Sequence, residues 1–170
     1  MLSWEDMKGK MWNIEVRLFE FSNVHIEVLN GGVIMPFVNL KLIKGQASSE
    51  QKKLLIDGIT DLIVNIMGRE RDFTVITVDE LGRDNWAIGG KTLEHTSLEN
   101  RVVSFVNIKV SKGTTNSDEM ARMMKATKEL LIGVLGNSDE TNYFIIDELN
   151  SDGWGFDGLS MTDINGRMEF

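Results

Sequence analysis

The 170-residue sequence has no cysteine, a single proline and only two histidines. Without cysteine the chain cannot form disulfides, which favours the reducing cytoplasm as its location. His25 and His95 lie far apart in the sequence, so we expect neither a zinc site nor a histidine-based catalytic triad. Carboxylates alone could hold magnesium, but no motif indicates such a site. We therefore expect no cofactor and no metal.

Long apolar runs and an excess of positive charge are also missing. No segment approaches the roughly 18 apolar residues of a membrane-spanning helix, and no basic start followed by an apolar stretch marks a secretory signal. The formal net charge of −8 argues against binding to the phosphates of nucleic acid. Apolar residues make up 42% and charged residues 26%, which is typical of a globular protein. We expect a small-molecule substrate, no nucleic acid and no membrane.

The one proline heads a segment that occurs twice. Pro36 begins an alternating apolar stretch that ends at Gly45, and the stretch returns from Ser104 to Gly113 with serine in the place of proline. The similarity extends over residues 36–90 and 104–158 without a gap. It includes an Asp-Glu-Leu triplet and a tryptophan at equivalent positions. We infer that one small unit is duplicated within the chain.

Each unit is predicted to fold as strand, helix, strand. In the first unit, strands are expected at about 37–43 and 73–78. Apolar residues at helical spacing follow the capping signature of Ser48 and Gln51 and predict a helix between the strands. A crossover of about 30 residues is typical of a parallel βαβ unit. The fold class is therefore α/β (α+β), with two tandem βαβ units forming a four-stranded sheet and two helices on one face. The uncovered face predicts an oligomer.

Three segments lie outside the two units. They are an N-terminal extension, a linker and a polar tail, at residues 1–35, 91–103 and 159–170. The extension has two interpretations. Trp12–Phe21 and Val24–Val28 alternate as a β-hairpin would. Alternatively, Gly31–Met35 can be encoded by a purine-rich ribosome-binding sequence before a start codon, and Met35 would then be the true initiator. We favour the second interpretation, which a mass measurement of the native N-terminus tests.

The opening Pro36-Phe37-Val38-Asn39-Leu40, the capped helix, the return strand and the segment from Asp84 to Gly90 together resemble the 4-oxalocrotonate tautomerase (4-OT) family in a fused, two-unit form. The resemblance implies a cofactor-independent tautomerase or isomerase. Such an enzyme moves a proton between enol and keto forms of a small 2-oxo or 2-hydroxy-dienoate acid. The resemblance also implies a homo-oligomer, a trimer of fused chains. In this family an N-terminal proline is catalytic, and removal of Met35 would expose Pro36 in that way.

The chemistry of a terminal proline supports this role. Inside a chain the proline nitrogen is an amide, neither basic nor a donor, whereas a terminal proline is a secondary amine. An α-amino group titrates near about 7.7–8.0, and burial disfavours its charged form, so a buried terminal proline can act as a general base near neutral pH. The alternative is a proline that only begins a strand. The combination of Met35, the duplication and the resemblance favours catalysis.

The substrate-binding positions depart from the family pattern. The positions of the family's two arginines are occupied here by Gln46 and Thr74. Both are neutral and cannot form the bidentate hydrogen bonds that an arginine makes with a carboxylate. Arg69, Arg71 and Arg83 lie nearby in the sequence, and of these Arg71 and Arg83 are the preferred candidates to replace them. Trp86 takes the family's aromatic position. We therefore name Gln46, Arg71, Thr74, Arg83 and Trp86 as substrate-binding residues.

The second unit should lack the catalytic base, because Ser104 can never be a chain terminus. Its expected role is to complete the sheet and to line the neighbouring pocket, with Asn142 or Trp154 as contributors.

Two alternatives remain open. A protonated terminal proline acts as an acid in the family's hydrolytic dehalogenases and decarboxylases, which also need a carboxylate to activate water. Asp84 is the candidate for that carboxylate. If Pro36 stays internal, the chain is instead a catalytically dead assembly module.

Overall fold

The computed structural model describes residues 35–95, 102–136 and 142–168, and two units with the same order of elements are found there. The first unit consists of β1 (Phe37–Ile43), α1 (Ser49–Met67), β2 (Val75–Leu81) and a hairpin of β3 (Ala87–Ile88) and β4 (Lys91–Thr92). The second consists of β5 (Ser104–Ser111), α2 (Ser117–Leu135), β6 (Tyr143–Leu149), a hairpin of β7 (Gly155–Phe156) and β8 (Leu159–Ser160), and α3 (Met161–Met168).

The main sheet has four strands in the order β2-β1-β5-β6. Each unit contributes a parallel pair, and the two units meet through the antiparallel pairing of β1 with β5. In this pairing Asn39 lies opposite Asn107, its own equivalent in the other unit. A pseudo-twofold axis therefore passes between these two residues, and each unit is the rotated image of the other.

Both long helices cover the same face of the sheet, as predicted. Alternate residues of the central strands point towards the helices, and they form one buried core with apolar residues of α1 and α2. The strand contributions are Val38, Leu40, Leu42, Val106, Ile108 and Val110. On the other face, Asn39 and Lys41 both donate hydrogen bonds to Asp79, at 3.0 Å each. The predicted fold class is confirmed.

The first helix begins and ends where its sequence signals indicate. Ser48 Oγ accepts a hydrogen bond from the Gln51 N–H at 3.2 Å, and Gln51 Oε1 accepts one from the Ser48 N–H at 3.0 Å. These reciprocal bonds satisfy two backbone donors of the first turn. The helix ends at Gly68, whose φ of 65° is the left-handed conformation that glycine adopts without strain.

The repeated unit continues past the tryptophan by one hairpin. Residues 91–95, within the expected linker, form β4 and a 3₁₀ turn, and residues 159–168, within the expected tail, form β8 and α3. Leu93 and Met161 occupy equivalent positions and are both fully buried. Their N–H groups donate to the carbonyls of Trp86 and Trp154 at 2.9 and 2.7 Å. Each hairpin is thus folded back onto its own tryptophan.

Other boundaries also differ from the prediction or cannot be compared with it. The return strand of the first unit begins at Val75 because Arg71–Phe73 form a 3₁₀ turn. The hairpin predicted within residues 1–35 falls outside the described residues, of which Met35 is the first. Within the described ranges, no helix is both long and apolar enough to cross a membrane.

Candidate active site

The antiparallel pairing gives the sheet two ends that the pseudo-twofold axis relates. At the end that we call the proline end, β1 begins next to Pro36 and β5 finishes at Ser111. At the opposite end, β1 finishes at Ile43 and β5 begins at Ser104. A strand of this length spans roughly 20 Å, so a side chain at one end does not contact a side chain at the other.

Pro36 is buried and directly precedes β1. Its carbonyl accepts a hydrogen bond from the Val75 N–H at 3.1 Å, so the ladder between β1 and β2 begins at the proline. Proline has no N–H, and its position at the head of the strand sacrifices no ladder bond. While Met35 is attached, the ring nitrogen is an amide.

Trp154, from the second unit, reaches the peptide group that precedes Pro36. Its indole Nε1–H donates a hydrogen bond to the Met35 carbonyl oxygen at 3.3 Å. That oxygen and the proline nitrogen belong to the same peptide group, so the indole N–H lies beside the atom predicted to be catalytic. The second unit therefore contributes a side chain to the proline end, and Trp154 is one of the two contributors that the sequence suggested.

The opposite end is filled with apolar side chains. Ile43, Leu93 and Val103 form a buried cluster against which Trp86 and Ile88 pack. In the duplicated pattern Val103 is the equivalent of Met35, and Trp86 is the equivalent of Trp154. Because the chain continues through Val103, this position stays occupied in every form of the protein. Cleavage before Pro36 can empty only the corresponding position at the proline end.

Ser104, the equivalent of Pro36 at the opposite end, is held by a hydrogen bond. Ser104 is completely buried, and its hydroxyl donates a hydrogen bond to Asn142 Oδ1 at 2.8 Å. Ser104 therefore has a structural partner, and Asn142, the other suggested contributor, lies at this end and not beside Pro36.

Three of the predicted substrate-binding residues lie at the opposite end of the same chain. Gln46 Oε1 accepts a hydrogen bond from the Ile43 N–H at 3.1 Å in the turn after β1. Arg83 and Trp86 follow the end of β2, which runs parallel to β1. Both strands lead the chain away from Pro36, so these residues are not brought to Pro36 within one chain. Because β1 and β5 are antiparallel, the equivalents of these residues in the second unit lie at the proline end. The sequence pattern of a single unit does not show this pairing.

The other two predicted residues lie at the proline end. Thr74 directly precedes Val75, and its hydroxyl donates a hydrogen bond to the Glu70 carbonyl at 2.9 Å. Arg71 is exposed and forms an ion pair with Asp61 of α1. Its guanidinium is therefore directed along the helix surface. A role for either residue in substrate binding stays a prediction.

A buried arginine joins the two units at the proline end. Arg69 is 9% exposed and donates a hydrogen bond through Nη2 to the carbonyl of Thr114, in the turn after β5. Among the described residues its Nε has no hydrogen-bond partner. Burial lowers the pKa of Arg69, and the nearby charge of Glu119 opposes that effect. Arg69 thus fixes the turn after β5 and places a positive charge close to it.

An open depression of about 540 Å³ lies beside Trp154 and is lined by the second hairpin and the start of α3. Its two carboxylates already accept hydrogen bonds, Asp152 from Thr162 at 2.6 Å and Asp163 from Ser160 at 2.8 Å. In the described part of the chain, no group of three or more histidine or carboxylate side chains could hold a metal ion. The depression gives solvent access to the Trp154 side of the proline end.

These features define a class of protein in which a βαβ unit is duplicated and only the first copy begins with proline. The family model described as Tautomerase enzyme matches residues 36–96 and 105–164, one match for each unit. The chain belongs to the tautomerase family, as the sequence resemblance indicated, and is a tautomerase-type isomerase.

Several curated relatives correspond to a single unit. Probable tautomerase K2 of Dickeya dadantii is 46% identical over 59 residues, which are 35% of this chain and 88% of that protein. A probable tautomerase of Helicobacter pylori is 35% identical over 68 residues, 39% of this chain and 100% of that protein. The 2-hydroxymuconate tautomerase of Bacillus subtilis is 30% identical over 59 residues, 35% of this chain and 94% of that protein.

Solved structures of fused proteins match both units. A structure described as F6 fused 4-OT wild type asymmetric trimer has a TM-score of 0.66 and 19% identity, covering 75% of this chain and 98% of that one. Native fused 4-OT has a TM-score of 0.66 and 16% identity, with the same coverage. At these identities the likeness shows the fold alone, and the fold is that of the fused two-unit form.

Proposed function

We propose that Met35 is removed and that the free amine of Pro36 is the general base of a cofactor-independent tautomerase. The substrate is a small 2-hydroxy-dienoate or 2-oxo acid of the 2-hydroxymuconate class, which the name of the Bacillus subtilis relative supports. The observation that carries the proposal is the hydrogen bond from Trp154 to the Met35 carbonyl. It shows a donor from the second unit beside the proline nitrogen, at the end of the sheet that cleavage can open.

The reaction needs one group that first accepts and then returns a proton. The secondary amine takes the proton from the enol hydroxyl, and the O–H electron pair forms the carbonyl bond. The carbon–carbon double bond shifts, and the resulting ammonium gives the proton to carbon. Because burial disfavours the charged amine, the base form is present near neutral pH.

The substrate takes the space that Met35 leaves. The Trp154 indole N–H loses its acceptor when the Met35 carbonyl is removed, so it becomes available to a substrate oxygen. Arg69 adds a positive charge at the same end of the sheet, which favours an anionic substrate. These two groups take over the role of the family's two arginines, whose positions are occupied here by Gln46 and Thr74.

A hydrolytic reaction has less support. It requires a carboxylate that activates water near the amine, and Asp84 was the candidate. Asp84 lies in the 3₁₀ turn Arg83–Asn85 after β2, exposed and at the opposite end of the sheet. Within one chain it does not reach a substrate at Pro36. Tautomerisation needs no such group, and we therefore prefer it.

We also propose that three chains assemble and that the protein works in the cytoplasm. The sheet face away from the helices exposes apolar side chains, Val75 at 51%, Tyr143 at 62% and Ile145 at 40%. A fused structure of the same fold is described as a trimer. The absence of cysteine from the sequence is consistent with a reducing compartment.

The proposal is tested by comparing the N-terminus with the activity. We expect the intact mass of the native protein to correspond to a chain beginning at Pro36, and we expect it to convert 2-hydroxymuconate. A chain that retains residues before Pro36 should be inactive, because its proline nitrogen is an amide. Pro36→Ala, which replaces the secondary amine by a primary amine, should lower kcat/KM by up to about 100-fold, the lower end of the usual contribution of a general base. Full activity with Met35 in place would falsify the proposal, whereas a native chain that keeps residues before Pro36 and has no activity would fit the assembly-module interpretation.

A further inference from the structure

Ser111, the last residue of β5, carries a buried hydroxyl. Its side chain lies at the proline end and is 3% exposed. Among the described residues, Ser111 Oγ has no hydrogen-bond partner. The backbone carbonyl of the same residue, by contrast, accepts a hydrogen bond from Thr114 Oγ1 at 2.6 Å. Because a buried hydroxyl without a partner is unfavourable and uncommon, Ser111 calls for an explanation.

The strand register places Ser111 opposite Met35. Phe37 pairs with Lys109 in the antiparallel ladder, and two further steps along both strands bring Met35 opposite Ser111. The same continuation at the other end brings Ile43 opposite Val103, and these two residues do lie in one buried cluster with Trp86. Opposite residues in such a ladder have side chains within contact distance. Ser111 therefore borders the space that Met35 leaves, on the side of Trp154.

The two ends of the sheet differ in polarity at this position. Ile43, the equivalent of Ser111, packs against Val103 in the end that remains filled. The apolar side chain of Ile43 is favourable there because its surroundings stay apolar in every form of the protein. At the end that cleavage opens, the equivalent position carries a hydroxyl with no hydrogen-bond partner in the described part of the chain. A hydroxyl suits this position only if the molecule that replaces Met35 offers it a polar atom.

We propose that Ser111 Oγ hydrogen-bonds an oxygen atom of the substrate, and that Ser111 thereby selects acids that present a carboxylate or 2-oxygen at this point over apolar ligands. The proposal rests on the proposed function, since it requires a substrate in the place of Met35. The hydroxyl donates its proton to the bound oxygen, and the Trp154 indole N–H approaches the same space from the second hairpin. Ser111 is thus a substrate-binding residue supplied by the unit that lacks a base.

This role differs from a structural one in its effect on stability. Removal of an unpartnered hydroxyl should leave the folded protein as stable as before, or more stable, whereas removal of a paired hydroxyl strands its partner. Ser104 provides the matched control, because it is equally buried and its hydroxyl is bonded to Asn142. The two serines should therefore give opposite results for stability and for binding.

The experiment compares Ser111→Ala, Ser111→Thr and Ser104→Ala, made both in the full chain and in the chain that starts at Met35. Turnover of phenylenolpyruvate gives kcat and KM, and calorimetry with phenylpyruvate, its keto form, gives Kd without turnover. For Ser111→Ala in the chain that starts at Met35 we expect KM and Kd to rise about tenfold, the effect of one lost hydrogen bond to an anion. Its kcat and thermal midpoint should not fall. Ser111→Thr, which keeps the hydroxyl, should restore binding, and Ser104→Ala should lower the midpoint and leave KM unchanged.

An unchanged Kd in Ser111→Ala overturns the inference, and so does a lower thermal midpoint in that variant. Failure of the proposed function looks different: Pro36→Ala would then keep full turnover, while the Kd comparison still decides the role of Ser111. If the chain that starts at Met35 binds neither phenylpyruvate nor 2-hydroxymuconate, both proposals are wrong.

Discussion

Replacement of Trp154 by phenylalanine should weaken catalysis although it keeps an aromatic side chain at this position. The substitution keeps a flat apolar ring at the position and removes the indole N–H together with the second ring of the indole. In the full chain this N–H donates to the Met35 carbonyl oxygen at 3.3 Å. Once Met35 is removed, we expect the same N–H to donate to a substrate oxygen. The loss should therefore appear in kcat/KM of the processed chain.

The size of the effect follows from the kind of bond that is lost. A hydrogen bond between neutral groups contributes about 0.5–1.5 kcal/mol, and one to a charged group about 1.5–3 kcal/mol. Since about 1.4 kcal/mol corresponds to a factor of ten, a carboxylate acceptor predicts a loss of at least about tenfold in kcat/KM. A neutral carbonyl acceptor predicts a loss of about twofold to tenfold. The bond to the Met35 carbonyl, at 3.3 Å, is slightly longer than a usual N–H···O bond. If the substrate oxygen takes the same place, we expect a value near tenfold.

Trp86→Phe is the matched control, because Trp86 is the equivalent tryptophan at the opposite end. Steady-state turnover of 2-hydroxymuconate by both variants gives the comparison. In a chain that begins at Pro36, Trp86 and Trp154 are the only tryptophans. The Trp86→Phe protein therefore reports on Trp154 alone, and its fluorescence should change when phenylpyruvate binds. Equal kcat/KM for Trp154→Phe and the wild type would refute the reasoning, as would an equal loss in Trp86→Phe.

Two further predictions concern stability and assembly. The Asn107 amide and then Lys109 hold the pKa of Asp147 below its ordinary value of 3.8, so these contacts stabilise the fold above that pH and are lost as the pH falls through the lowered value. Asp147→Asn should lower the urea midpoint at pH 7, and the difference from the wild type should shrink below about pH 3.8; a constant difference at all pH values would contradict this. Light scattering should give the mass of three chains, and a stable monomer would contradict the proposed assembly.

The fold could be predicted because its signals are local and occur twice. The capping pair of Ser48 and Gln51 marks the start of α1, and Gly68 marks its end. Alternation along β1 and β5 separates the face that meets the helices from the face that does not. The hairpins were missed because each strand in them has only two residues, too few to show alternation. The buried Met161 was also missed, since the polar residues around it hide its role.

The site was only partly predictable because it is formed by two units. Pro36 stood out as the single proline of the sequence, and its position at the head of β1 follows from local geometry. The residues beside it depend on how β1 pairs with β5, which the pattern within one unit does not show. Trp86 and Trp154 are indistinguishable in sequence, yet only Trp154 lies at the proline end. Ser111 had no signal of its own, and only its contrast with Ile43 after pairing reveals it.

The permanent occupation of the opposite end by Val103 has a consequence for the stoichiometry of the enzyme. A chain has a single N-terminus, so the fusion of two units leaves one reactive amine where two separate units would have two. If three chains assemble as proposed, each assembly should then bind three substrate molecules at most, although it contains six units. On the proposed mechanism the second unit needs no base of its own, and its Trp154 and Ser111 would contribute to the site of the first unit's amine.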